Sequence, residues 1–155
     1  MKEIHMKRFI PTLLALLIVT LSACTDDGMV DVKSSFGVEE TGDRLEEVLK
    51  DKGMTIFDRV MHSEAAKDVG VELRETELII FGNPKAGSPL MKCQQSVALD
   101  LPQKALVWED SEGITWISYN HPRYLEKRHS ISNCDDVLSN IEEALAAIVN
   151  EAASD

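Results

Sequence analysis

Cationic side chains are in short supply in this chain. Its 155 residues carry 16 lysines and arginines against 27 aspartates and glutamates, a formal net charge of −11. A partner rich in phosphate needs a cationic surface, so this balance argues against nucleic acid. Long apolar runs are missing too. The stretch 9–23 has 15 residues, short of the roughly 20 that a helix needs to cross a hydrocarbon core. Cysteine is confined to Cys24, Cys93 and Cys134. No internal repeat or low-complexity segment is visible, and one domain of ordinary size is expected. Metal-ligand spacing is absent as well: His62, His121 and His129 do not fall at intervals such as His-x-x-x-His. Ser88 and Ser118 lack the elbow of an activated nucleophile, and Cys93 has no evident base beside it.

What is present begins with a sorting signal. Lys2, Lys7 and Arg8 precede the run 9–23, the pattern of a secretory leader, and with Glu3 they give the first 23 residues a charge of +2, leaving about −13 on the remainder. The run ends Leu21-Ser22-Ala23-Cys24, which resembles the bacterial lipobox, where the cysteine is lipidated and becomes the first mature residue. The reading is a lipoprotein signal peptide at 1–23, a tether at 24–29 and a domain at 30–153. It implies a location in the bacterial cell envelope, anchored to the membrane through Cys24 and facing the periplasm or the outer surface. Several acyl chains would hold the protein firmly where one would not. The alternatives are an ordinary cleaved signal with an incidental cysteine, and a start at Met6, which leaves the argument unchanged. That compartment permits disulfides. A bridge between Cys93 and Cys134 would close a loop of about 42 residues. Two packed thiols are favoured instead, because Cys134 lies three residues before Val137 on an apolar stripe.

The spacing predicts a half-buried strand over 30–36, broken by Gly37 to Gly42. An amphipathic helix follows over 43–52, with Leu45, Val48 and Leu49 on one face and Gly53 as its C-terminal cap. A second strand covers 54–61, and Ser63 caps a short helix ending near Gly70. Leu78-Ile79-Ile80-Phe81 shows no polar alternation, so this strand is expected to be central with both faces covered. Asn83-Pro84 and Ser88-Pro89 each predict a short helical turn, and Asp100-Leu101-Pro102 a bend. Residues 104–109 and 114–119 read as a hairpin around Asp110 to Gly113, with Trp108 and Trp116 as a cross-strand pair. A helix opens at His121-Pro122 and ends near His129. Another starts near Ser132 and carries the stripe Val137, Leu138, Ile141, Leu145, Ile148 and Val149. The result is an α+β domain of about five strands (β-α-β-α-β, small helices, β-hairpin, two helices) with helices largely on one face.

Gly82 and Gly87-Ser88 have the spacing of a phosphate loop without its lysine, while Lys85 lies inside the loop. Amides at a helix start beside Lys85 could hold a small anion, although a turn fixed by proline and glycine explains the same residues. Glu109 and Asp110 are adjacent on a strand and point to opposite faces, which argues against paired acid-base work.

Phe81 to Met91, Ala98 to Pro102, Leu106 to Asp110 and Trp116 to Asn120, followed by Pro122, Tyr124, Leu125, Arg128 and His129, resemble the family called domain of unknown function 302. His62 to Ala66 and Gly70 to Leu73 also sit where that family tends to carry His-x-x-Ala and Gly-x-x-Leu. The resemblance runs from Val30 to the last helix. It implies the α+β fold of small thermophile proteins of that family, commonly associated as homodimers, and it implies no established activity or cofactor. Cys93 and the leader depart from the pattern. The leading expectation is an accessory module holding a small-molecule or anionic ligand, or a partner, at the loops after its central strands. If such a site exists, His62, Asn83, Lys85, Glu109, Tyr119 and His129 are its candidates. The rival is a small enzyme, metal or redox protein using His62 and His129, with Cys93 as a further candidate.

Overall fold

The computed structural model describes residues 28–155; the expected signal peptide and Cys24 lie outside the described residues. Five strands, Met29–Lys33 (β1), Thr55–Met61 (β2), Thr76–Gly82 (β3), Gln103–Glu109 (β4) and Thr115–Asn120 (β5), form one antiparallel sheet in the order β1-β5-β4-β3-β2. The helices are Val38–Asp51 (α1), His62–Asp68 (α2), Pro84–Cys93 (α3), Pro122–His129 (α4) and Asp135–Ala153 (α5), with a 3-10 turn at Gln95–Leu99. The sequence-based element order, with five strands and a final pair of helices, is the one observed.

One sheet face is covered. Leu45 and Leu49 of α1 and Leu145, Ile148 and Val149 of α5 pack on Ile79, Phe81, Ala105, Val107 and Ile117. A second apolar cluster, with Leu90, Val97, Leu125, Ile131, Cys134 and Leu138, joins α3, the 3-10 turn and α4 to the first half of α5. The other sheet face carries Leu78, Ile80, Leu106, Trp108 and Trp116, all partly exposed. β3 is therefore an interior strand, but the expectation that both its faces are covered fails. Its unbroken apolar run serves the helices on one side and an open face on the other. Trp108 and Trp116 do stand directly opposite each other.

Two other boundaries move for local reasons. Gly42, read as part of a break, lies inside α1, which starts at Val38. The carboxylate of Glu77, fully buried on β3, presses against it, and a Cβ on residue 42 would come within 1.6 Å of Glu77 Oε1. Arg59 holds that carboxylate from β2, donating from Nε and Nη2 to its two oxygens at 2.9 and 3.0 Å, and from Nη1 to Asp43 of α1 at 2.6 Å. Alanine normally favours a helix interior over glycine by about 1 kcal/mol. Gly42→Ala should reverse that sign and lower stability by about 1–3 kcal/mol through overpacking, which thermal denaturation reads directly. The second boundary concerns Asn83 and Ser88, each expected to open its own turn. Only Asn83 caps, accepting from the Lys85 amide at 2.9 Å, and α3 continues through Pro89. Ser63 likewise does not cap α2; its hydroxyl accepts from the Thr76 amide at 3.3 Å.

Candidate functional site

At the end of the sheet where β3 stops and β4 starts, the chain leaves a cavity of about 290 Å³. A register shift between Ile56 and Asp58 turns Phe57 out of the β2 ladder, and it stands 55% exposed on one wall. Asn83 fixes the exit of β3, its amide nitrogen donating to the Gly53 carbonyl at 3.4 Å. The helix it caps then lays Gly87, Ser88 and Met91 along the second wall. Ala98 of the 3-10 turn and Leu101-Pro102, joined by a cis bond, close the third. Gly82 and Gly87 keep the space open: a Cβ at Gly82 would touch Phe57 and Pro102, and one at Gly87 would touch Leu101.

Gln103, the first residue of β4, completes the lining. It is 9% exposed, and its Nε2 has no hydrogen-bond partner. A buried donor left unmatched costs about 1–3 kcal/mol. No side chain lining this cavity is charged. Lys104, next along β4, is turned away, donating to the backbone oxygens of Asp100 and Pro102 at 3.2 and 3.1 Å.

The six residues singled out from sequence do not converge. Asn83 lies on the cavity rim, whereas Lys85 is exposed beside Val137 and Asn140 of α5. The His129 side chain is only 6% exposed; its Nε2 meets Asp100 Oδ2 at 2.5 Å and its Nδ1 meets Ser96 Oγ at 3.0 Å. This chain of contacts, with Arg128 on Asp100 at 3.2 Å, ties α4 to the 3-10 turn. His62 and Glu109 sit at the opposite end of the sheet, where Met61 faces Glu77 and Thr76 faces Trp108. Tyr119 belongs to the core, where burial first and the Glu142 carboxylate second push its phenol above the usual range. A larger acidic groove of about 530 Å³ lies at that end, lined by Glu39, Asp43, Glu64 and Glu75, with Arg59 already committed to Glu77. Among the described residues no group of three or more histidine, cysteine, aspartate or glutamate side chains could hold a metal ion.

Cys93 and Cys134 also differ from the favoured expectation. They are joined as a disulfide, with Cα atoms 6.4 Å apart, inside the range such a bond spans. Cys134 is buried in the second cluster, as its place on the stripe suggested. However, α5 starts one residue later, so Cys134 is the flanking residue rather than part of the helical face, and its side chain meets the last residue of α3.

Gln103, Phe57 and Met91 were missed by sequence reasoning. One signal was there to be used: Gln103, Ala105 and Val107 alternate on the inward face, so a polar group heads an otherwise apolar buried row.

An open-faced antiparallel sheet with its helices on one side defines a small α+β domain of a known kind. The family model for the domain of unknown function DUF302 matches residues 30–148, and the chain belongs to that family. A crystal structure of an uncharacterised conserved DUF302 protein from Bacillus stearothermophilus superposes with a TM-score of 0.74, at 24% sequence identity, covering 81% of this chain and 98% of that one. The chain is also 44% identical over 117 residues to a protein from Brucella suis biovar 1 named Fluoride-specific ion channel FluC 1, and to one of the same name from Brucella abortus biovar 1. The matches cover 76% of this chain, but only 46% and 43% of those proteins, so the chain spans less than half the length of these relatives. Among the described residues no helix is long and apolar enough to cross a membrane.

Proposed function

We propose that this DUF302 domain is a binding module, tethered to the cell envelope through a lipid on Cys24, that holds a small molecule in the cavity between Phe57, α3 and the Leu101-Pro102 bend. One observation carries the reading: a largely apolar cavity of about 290 Å³ with no charged lining residue takes one buried polar residue, Gln103, into its wall. Ligand sites characteristically combine apolar walls with a few placed polar groups. Relatives that share the domain and carry the name of fluoride-specific ion channels support a place beside a membrane protein. The cavity is an unsuitable halide site, since no cation lines it. The homodimer that the family resemblance implies would use the open sheet face around Leu78, Leu106 and Trp108.

One set of measurements on the full chain tests these parts separately. Cys24→Ser should release the protein from the membrane fraction, and sedimentation should return twice the monomer mass. Gly87→Leu, which fills the cavity, should remove any small molecule that native mass spectrometry finds bound to the parent. An unchanged bound mass in Gly87→Leu would show that the ligand sits elsewhere.

The rival reading as a small enzyme or redox protein keeps two observations, the Ser96-His129-Asp100 contacts and the disulfide. Ser96 is exposed and does not line the cavity at the end of β3, so these contacts and the cavity do not form one site. The binding reading is therefore preferred.

A further inference from the structure

A second site lies outside the cavity and is independent of it. The 3-10 turn is anchored by Val97, which is fully buried in one cluster with Leu90 of α3 and Leu125 of α4. His129 follows Leu125 by four residues and shares its side of the helix, so the same packing sets the imidazole beside the turn. Ser96 and Asp100 stand on either side of Val97 in the chain and take opposite edges of that ring. Ser96 Oγ lies 3.0 Å from Nδ1, and Asp100 Oδ2 lies 2.5 Å from Nε2. From this geometry we infer that Ser96 is an activated nucleophile, with His129 as its base, that takes the acyl group from a small ester with an apolar acyl chain.

The proton positions follow from the partners. Asp100, ion-paired with Arg128 at 3.2 Å, can only accept, so Nε2 of a neutral imidazole carries the ring proton. Nδ1 is then the acceptor, and the Ser96 hydroxyl donates to it. A serine nucleophile needs this order: hydroxyl to base, and base to a carboxylate that holds its tautomer. The imidazole is enclosed whereas Ser96 is exposed, so an incoming molecule meets the hydroxyl first.

Leu99 sets the substrate class. Residues three apart on a 3-10 helix eclipse, which places Leu99 next to Ser96 on one face of the turn, and Leu99 is 75% exposed. An acyl chain laid on it removes apolar area from water. The last turns of α3 and α4, which border the 3-10 turn, add the exposed cations Lys92, Lys127 and Arg128. In a chain of net charge −11 their field favours the negative charge that builds on an ester carbonyl oxygen under attack. In the step itself, Ser96 Oγ bonds to the carbonyl carbon while its proton passes to His129 Nδ1. The bond from that carbon to the alkoxide then breaks, and the alkoxide takes the proton and leaves as the alcohol. The acyl group stays on Ser96 as an ester, and His129 is neutral again.

The test uses the oxidised full chain and two probes. Para-nitrophenyl butyrate reports acyl transfer through release of nitrophenol, and an alkyl fluorophosphonate, which loses fluoride to the same attack, leaves a stable adduct that peptide mass spectrometry locates. The parent should carry the adduct on Ser96 and not on Ser111, which is equally exposed in the hairpin turn. Ser96→Ala and His129→Gln should each slow nitrophenol release by about a hundredfold or more, the low end of what a positioned base contributes. Ser96 is exposed, so Ser96→Ala should fold as the parent does. Leu99→Ser should slow the butyrate ester more than the acetate ester. Nitrogen NMR of the His129 ring reads the arrangement without any probe. The parent should hold its ring proton on Nε2, and Asp100→Asn should move that proton to Nδ1 and slow nitrophenol release about tenfold or more. A ring proton on Nδ1 in the parent would overturn His129 as the base. Adducts spread equally over Ser96 and Ser111, or unchanged release in Ser96→Ala, would overturn Ser96 as the nucleophile. Equal slowing of both esters in Leu99→Ser would overturn the apolar acyl class.

Discussion

Replacing Arg59 with leucine should cost this protein about 3 kcal/mol, the lower end of the range for breaking a buried ion pair. The lower end applies because the Arg59 side chain is 24% exposed, whereas its partner Glu77 is completely enclosed. The loss comes from the carboxylate left behind, which then has no guanidinium on either oxygen. In the parent, burial raises the Glu77 carboxyl above its ordinary value, while the bonds and charge of Arg59 pull it partly back. Without Arg59 only raising influences remain: burial, and the charges of Asp43 and Glu39. A carboxyl raised in the folded state binds its proton more readily folded than unfolded, so stability falls as pH rises through that raised value. The deficit of Arg59→Leu should therefore be greatest at pH 7 and shrink as pH falls toward the ordinary glutamate value of about 4.3. Urea midpoints across that range measure it. The double variant Arg59→Leu, Glu77→Leu removes both charges and should recover most of the loss. Equal deficits in the single and double variants would mean that packing, not the stranded charge, sets the cost.

Reduction of the Cys93–Cys134 bridge should lower stability by about 4 kcal/mol, from chain entropy alone for a loop of this length. The two residues are 41 apart in sequence, and between them lie the 3-10 turn, β4, β5 and α4. Much of the sheet is thus inside the closed loop. Cys93 is exposed, so Cys93→Ser should reproduce the reduced protein without a packing loss, whereas Cys134→Ser also puts a hydroxyl into the apolar cluster of Leu90, Leu125 and Leu138 and should cost more. Thermal scans with and without reductant, followed by thiol titration, check both. Coinciding scans for oxidised and reduced parent would refute the constraint.

Both features were hard to read from the chain for the same reason: each joins residues far apart in sequence. Arg59 and Glu77 occupy separate strands, and an isolated arginine or glutamate in a strand normally marks a solvated face. Nothing near Gly42 announces that a carboxylate from β3 will lie on it; as a string, Gly37 to Gly42 reads as a break. The expected site failed similarly. His62, Glu109 and Tyr119 were chosen as polar or titratable residues near strand ends, but antiparallel pairing sends His62 and Glu109 to one end of the sheet and Asn83 to the other. Alternation over 54–61 also misleads, since the bulge at Phe57 shifts the inward row from Ile56 to Arg59.

What the sequence determined by itself is local and periodic. The hairpin around Asp110 to Gly113, the apolar stripe of α5, proline at the start of α3 and α4 and the order of strands and helices all follow from residue spacings of two to four, which the chain displays openly. Only the tertiary structure decided which sheet face is covered, which cysteines meet, and that Phe57, Met91, Leu101 and Gln103 enclose one space. Those outcomes depend on register and on the direction each element enters the fold, quantities set by packing across the whole domain.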